Sequence, residues 1–301
     1  MMQLDTFSRI ETDLQANILT GEQRLELAVL GARTVGDAVA NIERQIVEAS
    51  EAGDDRGVTM LQERLGIVSA LCCEYGSVQV SNLPGGVLGM APVGGSVHQI
   101  QLSADLLLHD SLEKLQEVCM HERRHTNQVE LKTAREDVVL IVGNKKVTDT
   151  TVMLEGDTEK HTEARFGVRD DRPDAIYGEG ARLFEDLSAH RSRLDAVMTQ
   201  TGDIEGLQSD IWEEDLRNHK LDFANLQKQS QETGYTVSRG VVSVQVKNWV
   251  VLLEEGKADM EEVEKQVAEL NTEENPQAIM AQIYAQMAVT REQLEGSVER
   301  N

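Results

Sequence analysis

The chain has 301 residues, 53 of them acidic and 29 basic, for a net charge of −24. A surface of that sign repels phosphate backbones and anionic lipid headgroups, which argues against nucleic-acid and membrane partners. An apolar content of 40% suffices for a sizeable core, and no stretch approaches the roughly 18 unbroken apolar residues of a membrane span.

The opening "MMQLDTFSRIETDLQ" has no basic region leading into an apolar run and no cleavage signal, so a cytoplasmic protein is expected, with export by a route lacking a cleavable signal left open. Cys72, Cys73 and Cys119 are an odd set without CxxC spacing. That fits buried thiols in a reducing compartment better than a disulfide framework.

Residues 22–50 place Leu25, Val29, Ala32, Val35, Val39, Ile42 and Ile46 at steps of three and four, which predicts one amphipathic helix. "EAGDDRG" ends it, and a second helix is predicted from Val58 to Tyr75. The texture changes over 77–103, where glycines, Pro84, Pro92 and alternating apolar residues predict a small sheet. Its strands are expected at Val78 to Val80, Val87 to Met90 and Val97 to Leu102, the last with His98, Ile100 and Leu102 on one face. Helix is then expected to resume at Ser103 as an N-cap, or at Asp110, with the motif in the run from Ser111 to about Val142; a turn follows over 143–149, a helix over "TTVMLEGDTEKHTEARFG", a break at "DDRPD" (170–174), and a helix from Ala175 to Met198. From Thr201 the chain reads as acidic and helical, with breaks at Gly202, Gly234, Gly256 and Pro276.

The chemistry concentrates in "EVCMHERRHTNQVE". His121 and His125 lie four apart, so one helical turn brings both imidazoles to the same face, about 40° apart, with Glu122 flanking them. This spacing suits two ligands to one metal ion. Downstream, "MLEGDTEKHTE" offers Glu155 and Glu159, also four apart, so one can ligate while the other accepts the N–H of a ligand histidine.

Taken with "YGEGARLFEDL", the segments "HERRHTNQ" and "LEGDTEKHTE" resemble the gluzincin branch of the zincin metallopeptidases over about residues 77–190. In that family an HExxH helix is followed by a glutamate helix, often with an E-G-x-T setting. The resemblance implies a zinc site with His121, His125 and Glu155 as ligands, Glu122 as general base, and Tyr177 or His190 as a donor to the transition-state oxyanion, which leaves Glu159 as the partner behind a ligand histidine. Arg123 and Arg124 occupy positions usually apolar or small in such helices, which implies that the back of this helix reaches solvent or acidic partners.

The expected fold is therefore α+β and mostly α: a zincin-like core over 58–200, preceded by a helical segment 1–57 and followed by an acidic helical subdomain 201–301. The expected function is Zn²⁺-dependent hydrolysis of a peptide or protein substrate by metal-activated water, with the strand near 97–102 offering its edge to an extended substrate. The alternative is a non-catalytic acidic interaction or scaffold protein with a degenerate or purely structural metal site, its C-terminal helices serving as a partner surface.

Overall fold

The structure, a computed structural model, describes residues 19–132, 138–143, 145–167 and 175–298; the side chains of 175–177 and 291–298 lie outside this description. The break expected at 170–174 lies outside the described residues as well. The described residues are mostly helical with two small sheets, and the chain divides into two compact units that interleave in sequence. One takes the chain as far as Glu130 together with Leu154–Ala181; the other takes Leu131–Met153 and everything from Arg182 onward.

In the first unit, the single helix expected over 22–50 is two, α1 (Gly21–Leu30) and α2 (Val35–Glu51). Thr34 explains the break. Its backbone is extended, its hydroxyl accepts from Asp37 N, and Asp37 returns the favour to Thr34 N, a capping box that starts a new helix. Residues on either side of this break pair with the chain around β1 (Gln79–Ser81): Val35 N donates to Val78 O, and Val80 N to Arg33 O. The apolar period runs on across the break because both helices feed one core. Helix α3 (Asp55–Tyr75) is capped by Asp54 and is longer than predicted.

Strands β1, β2 (Gly89–Met90) and β3 (Gln101–Ser103) form a sheet in the order β1-β3-β2, with β3 parallel to β1 and antiparallel to β2. The third strand is shorter than expected. Val97–Gln99 is a 3-10 turn, closed by Gln99 Oε1 accepting from Ser96 N, so His98 is exposed while Ile100 and Leu102 are buried. Because β3 is the central strand, its edges are occupied; β2 is an outer strand. Helices α4 (Ala104–His109) and α5 (Leu112–Asn127) follow, α5 capped by the Ser111 hydroxyl.

Val29, Val35, Ile42, Leu61, Leu71, Val78, Ile100, Leu102, Leu115 and Cys119 belong to one buried cluster. The boundary expected at 57 thus falls inside α3, and the N-terminal helices share their core with the sheet and with α5. Completing the unit are α6 (Thr150–Phe166), whose first turn belongs to the second unit, and the start of α7 (Ala175–Asp186).

The helix expected to run to Val142 stops at Asn127, and Gln128 turns extended. The β-branched run Val138 to Val142 instead supplies β4 (Leu140–Val142), which pairs antiparallel with β5 (Lys145–Val147) around Gly143 at φ 57°. This hairpin opens the second unit. There, Gln208 bonds both Ile141 N and Ile141 O, and the Tyr235 hydroxyl donates to Val139 O.

The helix expected from Ala175 to Met198 is interrupted after Asp186 by the 3-10 turn Ser188–His190, resumes as α8 (Arg191–Ala196) and widens into a π turn at Val197–Thr201. Gly202 ends that turn in the left-handed region. Then come α9 (Ile204–Arg217), α10 (Phe223–Thr233), α11 (Arg239–Glu254), α12 (Met260–Ala268) and α13 (Pro276–Val298). Gly234 and Gly256 close α10 and α11 with positive φ, and Pro276 opens α13. Trp212, Val242, Trp249, Val263 and Ile279 centre the core of these helices. The boundary expected at 200 falls within this unit. Among the described residues, no helix is long and apolar enough to cross a membrane.

Candidate metal centre

Two helices of the first unit build the site. Helix α5 projects His121, Glu122 and His125, and α6 projects Glu155 and Glu159. As the four-residue spacing requires, the two imidazoles stack along one face of α5, edge to face with centroids 5.1 Å apart. Both turn Nε2 toward a single carboxylate oxygen: Glu155 Oε2 lies 3.2 Å from His121 Nε2 and 3.5 Å from His125 Nε2. Ligands held tetrahedrally at about 2.0 to 2.1 Å from an ion stand about 3.3 Å from one another. The two separations straddle that value.

Glu155 Oε2 is buried and makes no well-aligned hydrogen bond; its polar neighbours are the two imidazoles, which meet it as ion-pair contacts. A buried carboxylate oxygen without a donor is costly unless a cation satisfies it. The three side chains are a grouping able to hold a metal ion, with all ligand atoms within 4.8 Å of one another. Burial pushes the Glu155 carboxyl up, but His121 and His125 outweigh it and bring the value down to about 2, so the oxygen is an anionic donor. Burial by itself lowers the His125 imidazole; Glu155, then Gln128 and Glu122, reverse this and raise it.

On the far side of each ring stands an acceptor. Glu159 Oε2 is 3.9 Å from His121 Nδ1, and Gln128 Oε1 is 2.8 Å from His125 Nδ1. Gln128 is fully buried and its Nε2 reaches Leu154 O, Asp157 Oδ2 and Thr158 Oγ1 on α6.

The two arginines inside the motif reach acidic partners. Arg124 forks onto Asp157, Nε to Oδ2 at 2.7 Å and Nη2 to Oδ1 at 2.9 Å, while Arg123 makes a more exposed pair with Glu74 at 3.1 Å. Gly156, between Glu155 and Asp157, lets α6 approach α7: a Cβ there would stand 2.6 Å from the Gly180 backbone.

Glu122 is only 7% exposed. Burial raises its carboxyl above the usual range, and Glu155 adds to this, while His121 and His125 pull the other way. Strand β2 lies directly on it. A Cβ at Gly89 would come within 2.7 Å of Glu122 Cγ and 2.8 Å of both Glu122 Oε1 and Val118 Cγ1, so only glycine permits this approach.

Of the residues singled out in the sequence, His121, Glu122, His125, Glu155 and Glu159 therefore come together. His190 belongs to the second unit, where its Nδ1 lies 3.6 Å from Glu214 Oε2. Tyr177 lies in α7, and its side chain is outside the described residues. Gln128, Asp157, Arg124 and Gly89 were not anticipated as parts of the site. Gln128 carries a legible signal, since it follows His125 by three residues and so begins on the same helical face. Comparison with family models, with curated proteins and with solved structures finds no match to this chain. The functional reading therefore rests on the site's own geometry.

Proposed function

We propose that the protein is a zinc-dependent metallopeptidase with a zincin-like core, in which His121, His125 and Glu155 hold the metal and Glu122 is the general base. The observation that carries this reading is the convergence of two Nε2 nitrogens on an otherwise unpartnered Glu155 Oε2, with Glu122 in electrostatic reach of all three. Two imidazoles and a carboxylate form a donor set suited to Zn²⁺. When bound, the metal supplies a Lewis acid that polarises a peptide carbonyl and renders water acidic near neutral pH.

The chain's own part in the reaction is proton handling and positioning. Glu122 takes a proton from the attacking water and returns it to the leaving amine; a carboxyl with a raised proton affinity suits both steps. Strand β3 has no edge to offer a substrate, but β2 does. Because Ser103 N donates to Leu88 O and Gly89 pairs with Leu102, the alternation of an antiparallel ladder turns the N–H and C=O of Gly89 away from β3. An extended substrate adds its backbone there, level with Glu122.

The competing assignment is a non-catalytic interaction protein with a structural metal ion, favoured by the exposed Val251 and Leu252 on α11 and Tyr284 and Val289 on α13. Zinc stoichiometry and cleavage of an unstructured protein substrate separate the two. The peptidase reading expects one zinc per chain, its loss in His121→Ala/His125→Ala, and loss of cleavage with zinc retained in Glu122→Gln. Cleavage that survives Glu122→Gln removes the mechanism. Stoichiometric zinc without cleavage by the wild type supports the interaction protein.

A further inference from the structure

Two arginines where such a helix usually carries apolar or small residues were the least expected feature of the motif, and Arg124 proves to be tied, through two other side chains, to a metal-ligand histidine. The ties are short and shielded from water. Arg124 and Asp157 are 12% and 9% exposed, and Gln128 is fully buried.

A histidine can ligate through either ring nitrogen, and the one that ligates is decided by what the other one bonds. Two groups face His125 Nδ1, the Gln128 amide at 2.8 Å and the Thr158 hydroxyl at 3.4 Å; the hydroxyl gives its proton to Leu154 O, so the orientation of the amide decides. Its Nε2 faces three oxygens: Asp157 Oδ2 at 2.8 Å, Leu154 O at 2.9 Å and Thr158 Oγ1 at 3.0 Å. Turning the amide over would press Oε1 against a carboxylate and a carbonyl, acceptor on acceptor, in a site without water-like screening. Oε1 therefore faces His125 Nδ1, 2.8 Å away, and an amide oxygen can only accept, so Nδ1 carries the proton. Nε2 is left to point at the Glu155 side.

Asp157 is what makes the amide's orientation one-sided, and Arg124 is what holds Asp157. The guanidinium grips both carboxylate oxygens, and Oδ2 accepts from Arg124 Nε and Gln128 Nε2 together. A lysine could not supply this planar, two-point grip. The relay begins on α5, crosses to α6 and returns to α5, so it also holds Glu155, two residues from Asp157, in register with the imidazoles.

We propose that Arg124, Asp157 and Gln128 are a positioning relay that sets the His125 tautomer and thereby presents Nε2 to the metal. This rests on the reading of His121, His125 and Glu155 as a metal centre, and it assigns a task to a residue inside the HExxH motif itself.

The test uses full-length protein with ¹⁵N-labelled histidine and zinc as the probe, with His125 signals assigned by their loss in His125→Gln. In the wild type, His125 Nδ1 is expected to bear a slowly exchanging proton. In Gln128→Leu that protection is expected to vanish, and zinc Kd from chelator competition to rise about 10- to 100-fold. Asp157→Asn, a milder change that lets the amide turn over, is expected to weaken zinc about 3- to 10-fold. Arg124→Lys should fall nearer to Asp157→Asn than to wild type.

A merely structural tie predicts a lower thermal midpoint in Gln128→Leu with the Nδ1 proton still protected and zinc Kd within about twofold of wild type, and that result overturns the relay. Should the wild type bind no zinc, the metal reading falls, while the Nδ1 signal of Gln128→Leu and Asp157→Asn still decides whether the relay sets the tautomer.

Discussion

Replacing Gly89 by alanine tests whether β2 and Glu122 work as one device. The added Cβ would stand 2.7 Å from Glu122 Cγ and 2.8 Å from Glu122 Oε1 and Val118 Cγ1. Ordinary carbon contacts lie near 3.5 to 4.0 Å, so relief requires a displacement of about 0.8 Å. Val118 and Glu122 are successive residues on one face of α5, so neither can swing aside toward the other, and the relief must come from lifting β2 or turning Glu122 away. Overpacking of this kind costs about 1–3 kcal/mol of stability. Misplacing a catalytic group by about 1 Å costs on the order of 100-fold in rate, so kcat is expected to fall about 10- to 100-fold. Zinc affinity should stay within about threefold, since the three atoms nearest the added Cβ belong to Glu122 and Val118 and not to a ligand. The assay is cleavage of an unstructured protein at saturating substrate, beside zinc content and thermal midpoint. A folded, zinc-loaded Gly89→Ala protein with wild-type kcat would show that the placement of Glu122 does not depend on β2.

Two further outcomes follow from the same site. The raised His125 value means that its ion pair with Glu155 stabilises the metal-free fold below the ordinary histidine value of about 6.5 and is lost as pH rises through the folded value. Glu155, held at about 2, contributes above its ordinary value of about 4.5 and loses that contribution only as pH falls toward 2. Chelator-treated protein should therefore melt lower at pH 9 than at pH 6, and zinc should reverse that slope because its ligands must be deprotonated; a flat profile for the metal-free protein would remove the pair. If Tyr177 donates to the oxyanion, Tyr177→Phe should lower kcat about 100-fold with little change in KM, and an unaltered kcat would strike Tyr177 from the mechanism.

Much of this site is local chemistry and could be read before any coordinates. Helical period alone puts His121 and His125 on one face with Glu122 beside them, and α4 begins directly after Ser103, where helix was expected to resume. The same is true of the breaks at Gly202, Gly234, Gly256 and Pro276, since each rests on what glycine or proline does to its own backbone. The periodic run over 22–50 misled because Thr34 and Asp37 form a cap that periodicity does not register, while Val29 and Val35 still face one core. The run at 138–142 misled in the other direction, since its β-branched residues favour strand and needed only the Gly143 turn to find a partner in 145–147.

Features that a single turn of helix or one residue's backbone decides were legible before any coordinates: the pair of histidines, the flanking glutamate and the glycine and proline breaks. Tertiary structure decided the rest. Glu155 and Glu159 share a face of α6 and are chemically identical, so which one meets both Nε2 atoms depends on the axial register of α6 against α5. That register is held by Arg124 on Asp157, by Gln128 across the helix pair and by the close approach of Gly156 to Gly180, contacts between residues about 25 to 35 positions apart that no local pattern encodes. The edge of the sheet was hidden for the same reason. Strand order comes from pairing across the whole segment 79–103, and that pairing places β3 inside and leaves β2 with Gly89 against Glu122.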